Sequence, residues 1–129
     1  MEIKIYYEDT DCGGVVYYAN YLKYFERART QYLEKHGLSV ASLQENGTLF
    51  MVTHAEAFYR SPARYGETLM IETSVSALRR SALTFSHTIR EQTSQRVVVE
   101  GSATLVAVDH QGKPKRLEPS LLMALDVSV

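Results

Sequence analysis

Tyr6-Tyr7-Glu8-Asp9-Thr10-Asp11-Cys12-Gly13-Gly14-Val15-Val16-Tyr17-Tyr18-Ala19-Asn20-Tyr21 decides how this chain is read. The stretch lies between a short strand-like opening, in which Ile3 and Ile5 alternate with polar residues, and a long amphipathic segment. Glu8, Asp9 and Asp11 bring carboxylates to a loop that contains a Gly-Gly pair. Gly13-Gly14 permits a tight turn and close approach of a ligand to the backbone. A helix that starts just beyond offers N–H groups without intrahelical partners and a partial positive charge. A carboxylate beside such a helix end has the parts needed to drive attack on a carbonyl and to stabilise the oxyanion that forms.

Working outward, the period from about Tyr18 to His36 is helical. Tyr21, Phe25, Ala28 and Tyr32 form one apolar stripe, widened by Leu22 and Leu33, with Lys23, Arg27 and Lys35 turned to water. Lys35-His36-Gly37 is a stop signal, cations in the last turn followed by glycine. Ser39 caps a short second helix that ends near Asn46-Gly47. Strands follow. Leu49 to Tyr59 is ended by Ser61-Pro62, and Leu69, Ile71, Thr73, Val75 and Ala77 alternate with Met70, Glu72, Ser74 and Ser76. Leu83, Phe85, His87 and Ile89 alternate in the same way, and Val97 to Val108 reads as a central strand. Turns at Arg79-Arg80, Thr93-Ser94 and Asp109 to Gly112 are short enough to join antiparallel neighbours, and Pro119 opens a short terminal helix. The pattern is α+β, a long antiparallel sheet wrapped around one central helix. One helix covers one face only, so the apolar residues on the other face of the last strands predict cover by a second subunit.

The length of 129 residues fits one domain spanning 1–129, with roughly two-thirds of the unfolded chain's surface buried. A net charge of −1 gives no electrostatic footprint for nucleic acid. No apolar run approaches the ~18 residues of a membrane span, and the N-terminus lacks a signal-peptide pattern. The single cysteine, Cys12, fits a reducing cytoplasm. His36, His54, His87 and His110 show no metal-ligand spacing, so neither a metal nor a redox cofactor is expected.

The chain resembles the hotdog-fold acyl-CoA thioesterases of the 4-hydroxybenzoyl-CoA thioesterase type, and within them the bacterial branch associated with the Tol-Pal system. Tyr7-Glu8-Asp9-Thr10-Asp11 through Val16-Tyr17-Tyr18-Ala19-Asn20-Tyr21 carries the resemblance, supported by Glu26-Arg27-Ala28-Arg29, Ser61-Pro62-Ala63-Arg64 and Arg79-Arg80-Ser81. It implies a hotdog fold that hydrolyses an acyl-CoA to a free acid and CoA, the coenzyme being part of the substrate. The family's catalytic carboxylate falls on Asp11 and its carbonyl-polarising backbone N–H on Tyr18. Many Tol-Pal-branch relatives have histidine at that second position, whereas the 4-hydroxybenzoyl branch has tyrosine. The phenol-binding aspartate of the latter branch corresponds to Glu26. The resemblance further implies edge-to-edge pairing into a homodimer or homotetramer, each site taking Asp11 and the helix start from one chain and residues near Ser61 to Arg64 from its partner.

Several residues keep more than one reading. Asp11 in isolation would also serve to cap a turn; as a catalyst it acts either as general base for water or as a nucleophile forming a mixed anhydride. Glu8 and Asp9 are solvated loop charges or partners of arginines. Glu26 either positions water or substrate, or pairs with Arg29 or Arg60. Tyr7 and Tyr17 are candidates for an acyl-pocket wall. Arg79 and Arg80 are candidates for the phosphates of CoA, with Arg64 and Lys115-Arg116 as secondary ones. Cys12 as nucleophile would need His54 or His87 as its base; a small buried residue is the commoner fate. Alternatives to an acyl-CoA thioesterase are a thioesterase served by an acyl carrier protein and a non-catalytic acyl-CoA binding module. Asp11 argues against the last, since a carboxylate does not favour an anionic ligand.

Overall fold

The structure, a computed structural model, describes residues 1–125. Its elements are β1 (Glu2–Lys4), a 3-10 turn (Tyr7–Asp9), α1 (Asn20–Lys35), α2 (Val40–Glu45), β2 (Leu49–Tyr59), β3 (Thr68–Leu78), β4 (Ala82–Glu91), β5 (Val97–Val108) and α3 (Pro119–Leu125). The strands form one antiparallel sheet in the order β1-β3-β4-β5-β2, so β5 is an interior strand and β2 a sheet edge. Bulges in β2 between Val52 and His54 and in β3 between Val75 and Ala77 sharpen its curl. A curled sheet around α1 is the expected hotdog arrangement. Among the described residues no helix is long and apolar enough to cross a membrane.

Register places Leu83, Phe85, His87 and Ile89 of β4 opposite Leu105, Ala103, Gly101 and Val99 of β5 on the concave face. Helix α1 lies there with Tyr21, Tyr24, Phe25, Ala28 and Leu33 buried. The buried stripe is rotated from the expected one: Tyr24 is 2% exposed and Leu22 45%. Tyr24 packs edge-on to Tyr21 on the same helix, their ring centroids 5.8 Å apart, so both rings belong to the buried stripe, while Leu22 lines the flank of α1 with Phe50 and Val52 of β2. Phe25 marks the closest approach. A Cβ on Gly101 would lie 2.6 Å from the Phe25 ring and 2.6 Å from the Glu56 carbonyl oxygen, so only glycine lets the helix settle on β5.

The convex face differs from expectation. Glu72, Ser74 and Ser76 are exposed on it, and Ser86, Thr88, Ser102 and Thr104 are half-buried. Hydroxyls can satisfy themselves there, as Thr84 and Thr104 do at 2.9 Å. Large apolar residues are left in water on the edge strand and beside it, Met51, Val52, Phe58 and Tyr59 on β2, Leu22 on α1 and Val40 on α2; others are Leu122 and Met123 on α3 and the tyrosines Tyr6, Tyr7, Tyr17, Tyr18 and Tyr65.

Candidate active site

The acidic loop is a miniature hairpin. Thr10 bridges Val16, the Asp11 amide donates to the Val15 carbonyl at 2.9 Å, and the Gly14 amide returns to the Asp11 carbonyl at 3.0 Å. Gly14 adopts φ +79°, a value L side chains resist. The Gly13 amide donates to Asp11 Oδ1 at 2.8 Å, fixing one carboxylate oxygen, and the side chain as a whole is exposed. Asp11 therefore caps the turn through one carboxylate oxygen while its side chain stays open to solvent.

Asp9 joins this loop to the helix. Its carbonyl accepts from the Tyr17 amide at 2.9 Å and from Asn20 Nδ2 at 3.0 Å, and its Oδ2 accepts from the Tyr6 amide at 2.8 Å. The carboxylate that looked like a solvated charge is thus a structural anchor. Helix α1 begins at Asn20, two residues after the expected start, because Tyr17–Asn20 forms a turn in which the Asn20 amide donates to the Tyr17 carbonyl. The amides of Tyr18 and Ala19 find no acceptor among the described residues, and no side chain caps the helix. Tyr59, at the end of β2, donates its hydroxyl to the Tyr18 carbonyl at 3.3 Å and so braces the same turn.

Ser61 to Arg64 reach the loop from the same chain, which corrects the expectation that a partner provides them. At the end of β2 the amides of Arg60 and Ser61 both donate to the Val98 carbonyl, and Ser61 Oγ donates to the Val97 carbonyl at 2.7 Å. This turns the segment back so that Arg64 bridges Val15 and the Val16 amide donates to the Ala63 carbonyl at 2.8 Å. Arg96 and Glu67 lock the segment from behind: Arg96 Nη2 donates to Glu67 Oε1 and Oε2 and to the Pro62 carbonyl, while Glu67 Oε1 accepts from the Arg64 amide. Sequence reasoning missed Arg96, Glu67 and Tyr59, because each acts through a contact far away in sequence.

Other candidates disperse. Cys12 is exposed, not buried as expected, since its loop projects from the sheet. Among the described residues no histidine is hydrogen-bonded to it: His87 lies under α1, its ring stacked 4.6 Å from Phe25, and burial, reinforced by Arg29, lowers its pKa to about 4; His54 is on β2 beside Glu56. Among the described residues no group of three His, Cys, Asp or Glu side chains could hold a metal. Tyr7 is exposed with its ring edge-on to Tyr65, and Tyr17 tilts onto Tyr18 at 5.0 Å. Arg60 pairs with Glu100 rather than Glu26, and Lys115 is engaged by Thr48 and Glu118. Arg64 is exposed beside the loop. Arg79 and Arg80 are exposed in the β3–β4 turn, at the far end of β3 from the loop. At ~3.3 Å per residue that strand separates them from Asp11 by roughly 30 Å, so one chain does not gather them into one site.

A mostly apolar cavity of about 470 Å³ runs along the β2-facing flank of α1. Leu22, one helical turn past Tyr18, is at one end, and Glu26, Arg29, Phe50, Val52 and Phe85 line its walls.

Comparison with known proteins bears on this geometry. Residues 6–125 match the model of the thioesterase-like superfamily. The chain is 36% identical over 121 residues to an acyl-CoA thioester hydrolase, YbgC, of Escherichia coli O6:H1, covering 93% of this chain and 90% of that protein. It is 37% identical over 114 residues to an acyl-CoA thioesterase, YbgC, of Haemophilus influenzae, covering 88% and 82%. A solved structure of a DHNA-CoA thioesterase from Staphylococcus aureus superposes with a TM-score of 0.92 at 29% identity, covering 98% of this chain and 87% of that one. With sequence likeness over nearly its whole length and the same curled sheet around one helix, the chain belongs to the thioesterase-like superfamily.

Proposed function

We propose that this protein is an acyl-CoA thioesterase that uses Asp11 and the backbone N–H of Tyr18 to hydrolyse the thioester to a carboxylic acid and CoA. That it is an enzyme, a thioester hydrolase, follows from its relatives; the residue roles are our reading. One observation carries it: the Asp9 carbonyl ties the Asp11 loop to a helix start whose Tyr18 amide has no acceptor among the described residues. A thioester carbonyl oxygen at that amide would meet a fixed donor and the positive end of α1 as negative charge develops. Asp11 then either takes a proton from water as the new C–O bond forms, or attacks the carbonyl itself to give a mixed anhydride that water hydrolyses. In both routes the C–S bond breaks with the electron pair on sulfur. A thiol pKa near 8.5 makes that a good leaving group without a strong acid. Coenzyme A enters as substrate, and the mechanism calls for no metal or redox cofactor.

The active unit is a homodimer built through β2, or a homotetramer of two such dimers. That strand pairs with β5 on one side only, and Met51, Val52, Phe58 and Tyr59 expose apolar surface on it. A two-fold axis pairs β2 antiparallel with its copy, bringing the Tyr59 end of one chain to the Leu49 end of the other. The ends of the sheet are thereby exchanged, so Arg79 and Arg80 of one chain approach the Asp11 loop of its partner. There they would receive CoA phosphates, which a strand-length separation of roughly 30 Å disfavours within one chain. The signature around Asp11 favours the Tol-Pal-associated branch, the single cysteine fits a reducing cytoplasm, and Glu26 in place of aspartate argues against 4-hydroxybenzoyl-CoA.

A panel of short, long, branched and aromatic acyl-CoAs with thiol detection tests the reading. Release of thiol with turnover supports it. Stoichiometric binding without release would make the protein a binding module, and turnover confined to acyl-carrier-protein thioesters would reassign the substrate.

A further inference from the structure

Four arginines and lysines are half-buried: Arg29, Arg90, Arg96 and Lys115. Three of them meet a carboxylate, Arg90 with Glu72 at 3.8 Å, Arg96 with Glu67 at 2.8 Å and Lys115 with Glu118 at 3.5 Å. Arg29 meets none among the described residues and donates no hydrogen bond to them. Glu26, one turn earlier on α1, is felt electrostatically but forms no ion pair with it. Burial holds the Arg29 guanidinium below its usual range, the mark of a charge whose water has been displaced without replacement. Withdrawing a cation from water without a partner is costly, so such a group calls for an anion from outside the chain.

The anion's place is defined by the cavity. Arg29 lines it together with Leu22, Leu33, Phe50, Val52 and Leu105, surfaces that suit methylene groups. Lys23 also lines it, so its cations outnumber its one acid, Glu26. Leu22 lies one turn beyond Tyr18, and Arg29 is two turns further, roughly 16 Å from Tyr18 along the helix at 1.5 Å per residue, a span shortened by a long side chain that leans back toward the helix N-terminus. An acyl chain leaving the Tyr18 amide would pass apolar walls and end at a guanidinium able to bind a carboxylate with two parallel hydrogen bonds.

We propose that Arg29 sets acyl specificity by receiving a carboxylate at the far end of the acyl group, so that the preferred substrates are medium-length ω-carboxyacyl thioesters. This rests on the thioesterase reading of the same site. The volume in front of Arg29 favours a ligand over a side chain of a second copy as the source of the anion, and the test separates the two.

The experiment compares suberoyl-CoA, the monothioester of octanedioic acid, with octanoyl-CoA of equal chain length. Wild-type enzyme is expected to show kcat/KM roughly tenfold or more higher for suberoyl-CoA, the effect of a charge-assisted hydrogen bond. In Arg29→Met the suberoyl-to-octanoyl ratio should fall roughly 10- to 100-fold, and Arg29→Lys should restore part of it. Light scattering on each variant reports the oligomer. A wild-type preference for octanoyl-CoA, or a ratio unchanged in Arg29→Met, overturns the proposal. Loss of the oligomer in Arg29→Met with both substrates falling equally also overturns it, assigning Arg29 to the interface. Turnover of octanoyl-CoA without preference leaves the thioesterase reading standing, whereas no turnover of any thioester removes both.

Discussion

Arg96 Nη2 lies 2.8 Å from Glu67 Oε1, 2.9 Å from Glu67 Oε2 and 2.9 Å from the Pro62 carbonyl oxygen. This clamp connects two distant turns to the Asp11 loop, because Glu67 holds the Arg64 amide and Arg64 bridges Val15. Arg96 is therefore a positioning residue. Lysine keeps the charge but not the planar fork. Arg96→Lys should lower kcat on a good acyl-CoA roughly tenfold or more with little change in KM, since small displacements of a catalytic group are costly. Steady-state kinetics alongside circular-dichroism melting checks this. A lowered Tm with normal kcat would confine Arg96 to stability.

The same region makes stability depend on pH. The amides of Thr93 and Ser94 hold the Glu91 carboxyl down at about 2, and Arg96 holds Glu67 below the usual carboxylate range. In the unfolded chain both titrate near ~4.3. Their contribution is present above that value and is lost as pH falls toward 2, because the unfolded state takes up protons first. His87 acts in the same direction at higher pH: its folded value of about 4 lies below the unfolded ~6.5, so protonation favours unfolding as pH drops through that window. Tm should fall steadily from pH 7 to pH 3. Glu91→Gln should start lower at pH 7 and show a shallower slope below pH 5. A Tm that is flat between pH 7 and pH 3 would contradict the assignment.

How far these features were legible follows from the range of the interactions. The strands and α1 were readable because apolar period and turn residues are local signals: Lys35-His36-Gly37 stops α1, and Ser39 accepts from the Ser42 amide at 3.2 Å as an N-cap should. The helix face was misjudged at Leu22 and Tyr24, since both are apolar and only the sheet beneath decides which is covered. The Gly-Gly loop announced Asp11, but the sequence carries no local sign that Arg96 and Tyr59 support it. Nor does spacing reveal that Arg79 and Arg80 sit at the opposite end of the sheet, which is a consequence of strand order.

Gly101→Ala tests the seat of the helix on the sheet. The added Cβ would meet the Phe25 ring and a backbone carbonyl at 2.6 Å, and the carbonyl cannot step aside. Overpacking of this kind typically costs about 1–3 kcal/mol. Chemical denaturation should show that loss, and a stability equal to wild type would mean that α1 shifts freely on β5.

Asp11→Asn keeps the side-chain oxygen that accepts from the Gly13 amide, so the loop should hold its shape. Removing the base or nucleophile should cost roughly 10²–10⁴ in kcat. Cys12→Ala should remain active, because among the described residues no histidine is hydrogen-bonded to the thiol, His36 and His87 having other partners. Wild-type kcat in folded Asp11→Asn, or an inactive but folded Cys12→Ala, would reverse these roles.

Arg79→Ala and Arg80→Ala test both the ligand and the assembly. Phosphate contacts are remote from the reacting carbon, so their loss should raise KM for CoA thioesters while sparing small thioesters that lack the nucleotide. Since strand order keeps these arginines far from Asp11 of their own chain, a site that uses both must draw on two chains. Mixing Asp11→Asn subunits with an Arg79→Ala, Arg80→Ala double variant then gives a definite result. In a mixed dimer one site would carry both lesions and the other neither. Activity at low substrate should recover to a substantial fraction of wild type once subunits have exchanged, with light scattering reporting the dimer. If the arginines acted within their own chain, every site in the mixed dimer would carry a lesion, and no such recovery would be seen.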